Sequence, residues 1–342
     1  MLRRHLRKFL IVININKGIY TLKMKKLKCF VTGGAGFIGS HLVDKLMRYG
    51  CKVTVYDNLS LGKKEFIQHH FSNNKFKFIE ADLLDFEMLK NSIKGNDVVF
   101  HLAANSNIIQ SAKHTDIDLK QGTFATYNVL EAMRLNNIKK IVFSSSNVVY
   151  GEVNHFPIEE NYGPLFPISF YGASKLACEG LITAYCHNFG FNSWIYRFVN
   201  IIGKRATHGI VVDFYRKLKK NPYELEVLGN GKQSKPYLEV YDCVDGILFG
   251  FDNSSEQINL FNLGTEGLTS VDNITQIILD EMGFKNVKLK YTGGIRGWPG
   301  DVHTVMLSTE KIKSLGWKPK YPTSDEAARI GVKEIIQDIR DK

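Results

Sequence analysis

The chain predicts an α/β fold: a doubly wound parallel sheet followed by a smaller C-terminal α/β lobe. From Leu27 onward, short apolar, β-branched runs alternate with amphipathic stretches, and a glycine-rich turn separates the first run from the first amphipathic stretch. The length of 342 residues exceeds one typical domain but is short of three. We therefore expect one large domain and one lobe.

Six apolar runs have the length and residue types of buried strands. In chain order the predicted strands cover residues 27–32, 52–57, 76–80, 97–103, 140–145 and 193–199. Helices are predicted between them, at 37–49, 118–135 and 171–188. The first helix places Ile38, Leu42, Val43 and Leu46 on one face, which indicates packing against the sheet.

After Asn200 the alternation gives way to segments rich in Gly, Pro and Lys. We therefore assign residues 24–200 to the cofactor domain, with 238–263 returning to it. Residues 201–237 and 264–342 are assigned to a substrate lobe. Residues 1–23 are interpreted as a basic extension, either disordered or preceding a functional start at Met24.

The composition excludes several classes of protein. An apolar share of 44% and a charged share of 23% are ordinary for a globular chain, and no apolar run approaches the roughly 18 residues of a spanning helix. The five cysteines show no C-x-x-C spacing, which argues for a reducing compartment and against a zinc site or a disulfide framework. We expect a cytoplasmic protein without a metal or a membrane contact.

The formal charge of +11 is concentrated at the start of the chain. Residues 1–23 contain six basic and no acidic residues, so the remainder carries +5. Their apolar patch is interrupted by Asn14 and Asn16, unlike a secretory signal. A membrane-touching tail remains the alternative. The modest charge of the body suits an anionic small substrate, and no nucleic-acid partner is expected.

A glycine motif follows the first predicted strand and opens the first helix. Gly33, Gly36 and Gly39 allow a tight turn, close approach of a pyrophosphate and close helix–strand packing, while Phe37 and Ile38 begin a helix whose free N–H groups face the anion. The alternative is a simple glycine turn. The strand before and the helix after the motif favour dinucleotide binding.

Acidic residues at the ends of the next two strands predict the adenosine side of that site. Asp57 ends the second strand 18 residues after Gly39, where a carboxylate accepts hydrogen bonds from ribose hydroxyls, and Asn58 follows it. Because no basic residue stands there, NAD is favoured over its 2′-phosphorylated form. Asp82, followed by Leu83, is a candidate for the adenine edge or a turn former.

Two further segments predict proton transfer. Ser146 ends a strand, and Tyr171 and Lys175 are four residues apart, on one face of a helix. A phenol with a pKa of about 10 needs roughly 4 kcal/mol to ionise near pH 7, and a cation at about 4 Å supplies an energy of that size. We therefore expect Lys175 to lower the pKa of Tyr171, which acts as general base while Ser146 bridges to the substrate hydroxyl. The alternative is a helix-start aromatic with a solvated lysine.

With these motifs in view, the chain from Met24 onward resembles the extended short-chain dehydrogenase/reductase superfamily, and within it the UDP-glucose 4-epimerases. The matching segments are T-G-G-A-G-F-I-G at 32–39, D-N-L-S at 57–60, H-L-A-A at 101–104, S-S-S at 144–146 with Y-G at 150–151, Y-G-A-S-K at 171–175 and R-F-V-N at 197–200. The resemblance implies a Rossmann-type sheet, tightly held NAD and oxidation of the sugar C4 hydroxyl, followed by hydride return to the other face.

The resemblance also implies roles for individual residues. Ser146, Tyr171 and Lys175 inherit the catalytic positions, and Asn200 a contact to the nucleotide diphosphate. Further cofactor contacts are implied at Leu102, Ala103, Ala104, Ser144 and Phe198, and substrate contacts at Lys235, Arg296, Asp301 and Val305. Family members are commonly homodimers through helices that match 118–135 and 171–188.

Several departures from the family pattern bear on specificity. Gly122 and Ala125 stand where an Asn and a Gly are usual, and Lys235 replaces a diphosphate-clamping Arg. Val305 replaces a bulky Tyr, which predicts room for an N-acetyl group; the alternative is that Val305 only packs within the lobe. Related dehydratases and decarboxylases carry an acid where this chain has Val148, which counts against those reactions.

The sequence thus predicts an enzyme that interconverts UDP-glucose and UDP-galactose, with the N-acetyl sugars as possible substrates. Another nucleotide-sugar epimerase or a net dehydrogenase of the same architecture is the alternative. A non-catalytic nucleotide- or RNA-binding protein is an alternative of a different class.

Overall fold

The computed structural model describes residues 27–106, 111, 113–294, 302 and 304–341. Within this part of the chain a seven-stranded sheet has the order β11-β6-β5-β4-β1-β2-β3, and every neighbouring pair is parallel. The chain order reverses between β1 and β4, the position at which open α/β sheets bind ligands. The predicted doubly wound α/β fold is therefore confirmed.

The strands of the central sheet are β1 (Lys28–Thr32), β2 (Lys52–Asp57), β3 (Phe76–Glu80), β4 (Val98–His101), β5 (Lys140–Ser146), β6 (Asn192–Phe198) and β11 (Ile258–Leu263). Three two-stranded pairs complete the described strands: β7 (Asn200–Ile202) with β10 (Tyr237–Glu239), β9 (Ser234–Lys235) with β12 (Thr269–Ser270), and β8 (Glu224–Val227) with β13 (Lys288–Tyr291).

The described α-helices are α1 (Phe37–Arg48), α2 (Phe86–Ser92), α3 (Ala125–Leu135), α4 (Phe170–Phe189), α5 (Ile210–Lys220), α6 (Val240–Asn253), α7 (Val271–Met282), α8 (Glu310–Ser314) and α9 (Ser324–Arg340). The predicted helix 118–135 is divided: a wide π-helical turn, Leu119–Phe124, precedes α3. The predicted strand 97–103 is shorter, because the chain leaves the sheet after His101.

Helices cover both faces of the sheet. On one face α1 and α6 pack on Val31, Val55 and Phe100. On the other face α2, α3 and α4 pack on strand residues of opposite parity, such as Phe30 and Phe143. This alternation follows from the two-residue period of a strand, and it buries most of the apolar residues of the inner strands.

A third apolar cluster forms the core of the lobe, between α5, α7 and α9. The segment from residue 258 returns from the lobe region to the main sheet, where β11 pairs with β6. No disulfide joins the five cysteines, all of which are described and buried. The predictions for residues 1–23 concern a segment outside the described residues.

Candidate active site

The turn between β1 and α1 brings backbone segments unusually close together. Gly33 has a φ of +68°, and a Cβ there would lie 2.7 Å from the main-chain nitrogen of Ala103. A Cβ at Gly39 would overlap the carbonyl oxygen of Gly33. Only glycine fits at these two positions. Gly33 has a left-handed conformation, and neither Gly33 nor Gly39 has space for a side chain.

The N-terminus of α1 supplies the polar groups of this turn. Gly36 is the capping residue and makes no side-chain hydrogen bond, while Phe37, Ile38 and Gly39 open the helix. N–H groups in the first turn of a helix have no acceptor within the helix. Together with the glycine backbone they form a cradle that fits the pyrophosphate of a dinucleotide.

Asp57, the last residue of β2, lies beside this cradle. One carboxylate oxygen accepts the N–H of Ala35 and the other that of Leu59, each at 2.9 Å. Burial raises the pKa of Asp57, and the two backbone donors oppose that shift. The carboxylate is thus held at the strand end by main-chain groups, in the position expected for ribose recognition.

Asp82 is engaged by the protein itself. Its carboxylate accepts the amide of Asn58 at 2.7 Å, the amide of Gln121 at 3.3 Å and the N–H of Leu84 at 2.8 Å. The adjacent Leu83 is buried, and its carbonyl oxygen accepts the amide of Asn128. The sequence analysis did not single out Gln121. The adenine contact of Asp82 stays a prediction.

The remaining residues with implied cofactor contacts lie at the carboxyl ends of β4, β5 and β6. The N–H groups of Leu102 and Ala103 donate to the carbonyl and hydroxyl oxygens of Thr32. Ser144 donates from its hydroxyl to the carbonyl oxygen of His101 at 3.4 Å. Ala104 is half-buried, and Phe198 is buried opposite Ser146 in the register of β5 and β6. Parallel pairing therefore gathers these residues at one sheet edge.

Ser146 is the last residue of β5 and caps the following 3₁₀ turn, Asn147–Tyr150, by accepting the N–H of Val148. The beginning of α4 packs directly on this turn: a Cβ at Gly172 would lie 2.8 Å from the carbonyl oxygen of Val148. The adjacent Tyr171 of α4 is thereby brought near the turn that follows Ser146.

Lys175 lies one turn after Tyr171 and connects α4 to β5. Its Nζ donates to the carbonyl oxygen of Ser144 at 2.6 Å, and it lies 5.6 Å from the centroid of the Tyr171 ring and 4.7 Å from that of Phe143. The side chain is 4% exposed. The structure therefore brings two of the three predicted catalytic residues together and anchors the ammonium beside the strand that ends in Ser146.

The pKa of Tyr171 beside Lys175 differs from the value expected from the sequence. Burial first and the charge of Asp118 second raise the pKa of Tyr171 above that of a free phenol. Burial lowers the pKa of Lys175 to about 8. The expected depression of the Tyr171 pKa by Lys175 is therefore absent from the protein by itself, because burial of the phenol and the nearby charge of Asp118 both disfavour the phenolate.

Sequence reasoning missed a buried ion pair behind these residues. Glu179, one turn after Lys175, accepts a bidentate interaction from Arg197 of β6, at 3.0 Å and 2.7 Å. It also accepts the hydroxyl of Ser145 at 2.5 Å. Both charged side chains are at least nine-tenths buried. Glu179 could have been identified from its four-residue spacing from Lys175, because this spacing places both residues on the face of α4 that covers β5.

Packing explains why Gly122 stands where the family usually has an asparagine. A Cβ at Gly122 would overlap the hydroxyl oxygen of Ser174, which donates to the carbonyl oxygen of Asp118 at 2.8 Å and contacts Thr123 at 3.0 Å. The wide turn of residues 119–124 thus packs its backbone against α4. No side chain fits at Gly122 unless Ser174 moves.

On the substrate side, the structure places two predicted residues on neighbouring segments. Asn200 begins β7 and is paired with Tyr237 of β10. Lys235 of β9 lies two residues before Tyr237, and its Nζ donates to the carbonyl oxygen of Val302. Val305 is 2% exposed and belongs to the core cluster that includes Tyr150. Arg296 and Asp301 lie outside the described residues.

Comparisons with known proteins agree with this geometry. Residues 29–264 match the model of the NAD dependent epimerase/dehydratase family. The fold is similar to a crystal structure of UDP-galactose 4-epimerase, with 36% identity, a TM-score of 0.81 and coverage of 92% of this chain and 99% of that one. It is also similar to UDP-glucose 4-epimerase of Thermotoga maritima with UDP-glucose, at 31% identity, a TM-score of 0.80 and coverage of 92% and 99%.

A relative with a different reaction is similar at the same level. UDP-N-acetyl-alpha-D-glucosaminuronate decarboxylase of Bacillus cytotoxicus is 33% identical over 311 residues, which cover 87% of this chain and 86% of that protein.

Among the helices of the described residues, none has the length and apolar character to cross a membrane. The chain belongs to the NAD-dependent epimerase/dehydratase family, and its cofactor is NAD.

Proposed function

We propose that the protein is a UDP-sugar 4-epimerase that interconverts UDP-glucose and UDP-galactose through a 4-keto sugar. The observation that carries the proposal is the arrangement at the end of β5, where Lys175 is anchored on Ser144 and the start of α4 packs on the turn after Ser146. The same turn, Asn147–Tyr150, contains no acidic residue. An elimination or decarboxylation reaction has no acid available on this turn.

In this proposal, bound NAD supplies the capacity to take a hydride from the sugar C4 and return it. Tyr171 Oη receives the proton of the C4 hydroxyl as the hydride leaves and gives it back when the hydride returns, so no net oxidation occurs. Ser146 Oγ donates a hydrogen bond to the same sugar oxygen. Lys175 holds a positive charge near the phenol, and the cationic cofactor adds to that charge.

On the nucleotide side, we propose that Asn200 and Lys235 contact the diphosphate. Asn200 is paired with Tyr237, and Lys235 lies two residues before Tyr237 in the chain, so the two residues lie on neighbouring segments. Arg296 and Asp301 keep the roles that the family resemblance implies. Lys235 supplies charge without the two-pronged geometry of an arginine.

We also propose a homodimer through the wide turn of residues 119–124 and helices α3 and α4. Large apolar side chains are exposed there: Phe124 at 51%, Tyr127 at 46%, Leu135 at 48% and Phe170 at 49%. Several exposed large apolar side chains on neighbouring elements are typical of an interface. Sedimentation of the full chain is expected to give a dimer, and Tyr127→Glu a monomer; a wild-type monomer would contradict this proposal.

Incubation of the purified protein with a panel of UDP-sugars, followed by nuclear magnetic resonance, tests the activity. We expect conversion of UDP-glucose to UDP-galactose without net accumulation of reduced cofactor, and no conversion by Tyr171→Phe. Release of carbon dioxide from a UDP-uronic acid would instead favour the decarboxylase activity named for one relative. Stoichiometric cofactor reduction would favour a net dehydrogenase.

A further inference from the structure

A cluster of metal-ligand side chains lies outside the site described above. Asp44 projects from α1, and His69 and His70 belong to a 3₁₀ turn, Gln68–His70, between β2 and β3. The Nε2 atoms of the two histidines lie 2.9 Å and 2.8 Å from the same Oδ1 of Asp44. All three potential ligand atoms lie within 4.8 Å of one another. We call these residues the Asp44 cluster.

The geometry of the Asp44 cluster suits a small divalent ion. Zinc binds imidazole nitrogen and carboxylate oxygen at about 2.0–2.2 Å. Two ligands at about 2.1 Å that subtend the tetrahedral angle at the metal are about 3.4 Å apart. The histidine nitrogens lie 2.9 Å and 2.8 Å from Asp44 Oδ1, at hydrogen-bond distance, so a shift of about 0.5 Å in each separation brings the three ligand atoms to that spacing. Two histidines and one carboxylate are also a known three-ligand set for zinc, with solvent in the remaining position.

The surroundings position the ligands and leave access for solvent. The His69 side chain is 48% exposed, whereas those of His70 and Asp44 are 14% and 20% exposed. The ring of His70 packs 5.5 Å from that of Phe76. The cluster is therefore held on its inner side and open on its outer side, so an ion from solution reaches it without unfolding of the chain.

Arg205 contacts the other oxygen of the carboxylate. Its Nη1 lies 2.9 Å from Asp44 Oδ2, and its main-chain N–H donates to Asp338 at 3.1 Å. The guanidinium therefore orients Asp44 so that Oδ1 faces the histidines, as second-shell partners of metal ligands do. Its positive charge also opposes binding of a cation. We accordingly expect an affinity below that of structural zinc sites.

We propose that Asp44, His69 and His70 bind one divalent transition-metal ion of the zinc type. The ion would tie the turn 68–70 to α1, the helix whose N-terminus forms the phosphate cradle. This proposal departs from the sequence-based expectation of a protein without a metal, which rested on the spacing of the cysteines.

Isothermal titration of the untagged full-length protein with Zn²⁺, after removal of metals by a chelator, tests the proposal. We expect one ion per chain, and a Kd at least tenfold weaker in His69→Asn, in His70→Asn and in Asp44→Asn. His187→Asn, which alters an exposed histidine at the end of α4, is the matched control and is expected to bind as the wild type.

Thermal unfolding provides a second measurement. Zn²⁺ is expected to raise the Tm of the wild type and of His187→Asn, but not that of His69→Asn, whose side chain is exposed enough to be replaced without loss of the fold. Absence of binding by the wild type up to about 1 mM Zn²⁺, or unchanged binding by His69→Asn and His70→Asn, would overturn the proposal. Neither result depends on the sugar substrate.

Discussion

The ammonium of Lys175 donates a 2.6 Å hydrogen bond to the carbonyl oxygen of Ser144, two residues before Ser146. One turn further along the helix, Glu179 accepts the hydroxyl of Ser145. Successive turns of α4 thus hold successive residues of β5. This arrangement fixes the strand end that carries Ser146 relative to the helix that carries Tyr171.

Replacement of Lys175 by Met is expected to lower turnover by at least about 100-fold, because the variant removes both the ammonium near Tyr171 and the bond to Ser144. Steady-state conversion of UDP-glucose at saturating NAD measures the effect. Lys285→Met, at an exposed position in the lobe, is the control and is expected to retain activity. Equal turnover in both variants would remove Lys175 from the mechanism.

The variant Tyr171→Phe removes only the phenolic oxygen. We expect turnover to fall by about 10²–10⁴-fold while bound NAD, released by denaturation and quantified, stays at the wild-type level. Tyr223→Phe changes a tyrosine that is 80% exposed and serves as the control. Undiminished activity of Tyr171→Phe would show that another group carries the proton.

Glu179→Gln is expected to lower the free energy of unfolding by about 3–5 kcal/mol, because it leaves the buried Arg197 without its counter-charge. Turnover should fall with it, since a neutral amide oxygen holds the Ser145 hydroxyl at the end of β5 less strongly than the carboxylate does. Glu131→Gln breaks a more exposed pair with Arg134 and should cost no more than about 1 kcal/mol. Urea denaturation of both variants measures the difference. A cost for Glu179→Gln as small as that of the control would contradict the assigned role.

His101 makes the stability of the fold depend on pH. It is fully buried between the hydroxyls of Thr32 and Thr126, and burial lowers its pKa to about 3. An unfolded histidine titrates near pH 6.5, so between about pH 6.5 and 3 the unfolded state binds the additional proton. Within that pH range, the contribution of His101 should lower the free energy of unfolding by about 1.4 kcal/mol for each pH unit of acidification.

A pH titration of the histidine ring resonances measures this directly. One ring signal, identified by its loss in His101→Asn, should not shift between pH 7 and 4, because the ring stays neutral over that range. A His101 signal that shifts near pH 6.5 would contradict the buried, neutral assignment.

Val305 is predicted to affect the choice between plain and N-acetylated sugars. Val305→Tyr should lower the ratio of kcat/KM for UDP-N-acetylglucosamine to that for UDP-glucose by at least tenfold, because the larger ring occupies the space of the acetyl group. The ratio is independent of how much protein is folded. Val305→Ala should leave it unchanged, and an unchanged ratio in Val305→Tyr would place Val305 outside the sugar pocket.

The chain's local patterns were sufficient to predict the parallel sheet and the segments that form six of its seven strands. Apolar β-branched runs must be buried on both faces, and a glycine turn between a strand and a helix has few alternative conformations. The positions of Gly33, Gly39 and Asp57 at the sheet edge followed from these patterns. Tyr171 and Lys175 were predicted to share a face because they are four residues apart on one helix.

Only the tertiary structure revealed the contacts between distant segments. The hydrogen bond of Lys175 to Ser144, the ion pair of Glu179 with Arg197 and the packing of Gly122 on Ser174 each join segments from different elements. The raised pKa of Tyr171 likewise depends on burial, which is produced by the whole fold. Periodicity reports which face of an element is apolar, whereas the partner of each polar group depends on how the elements pack in three dimensions.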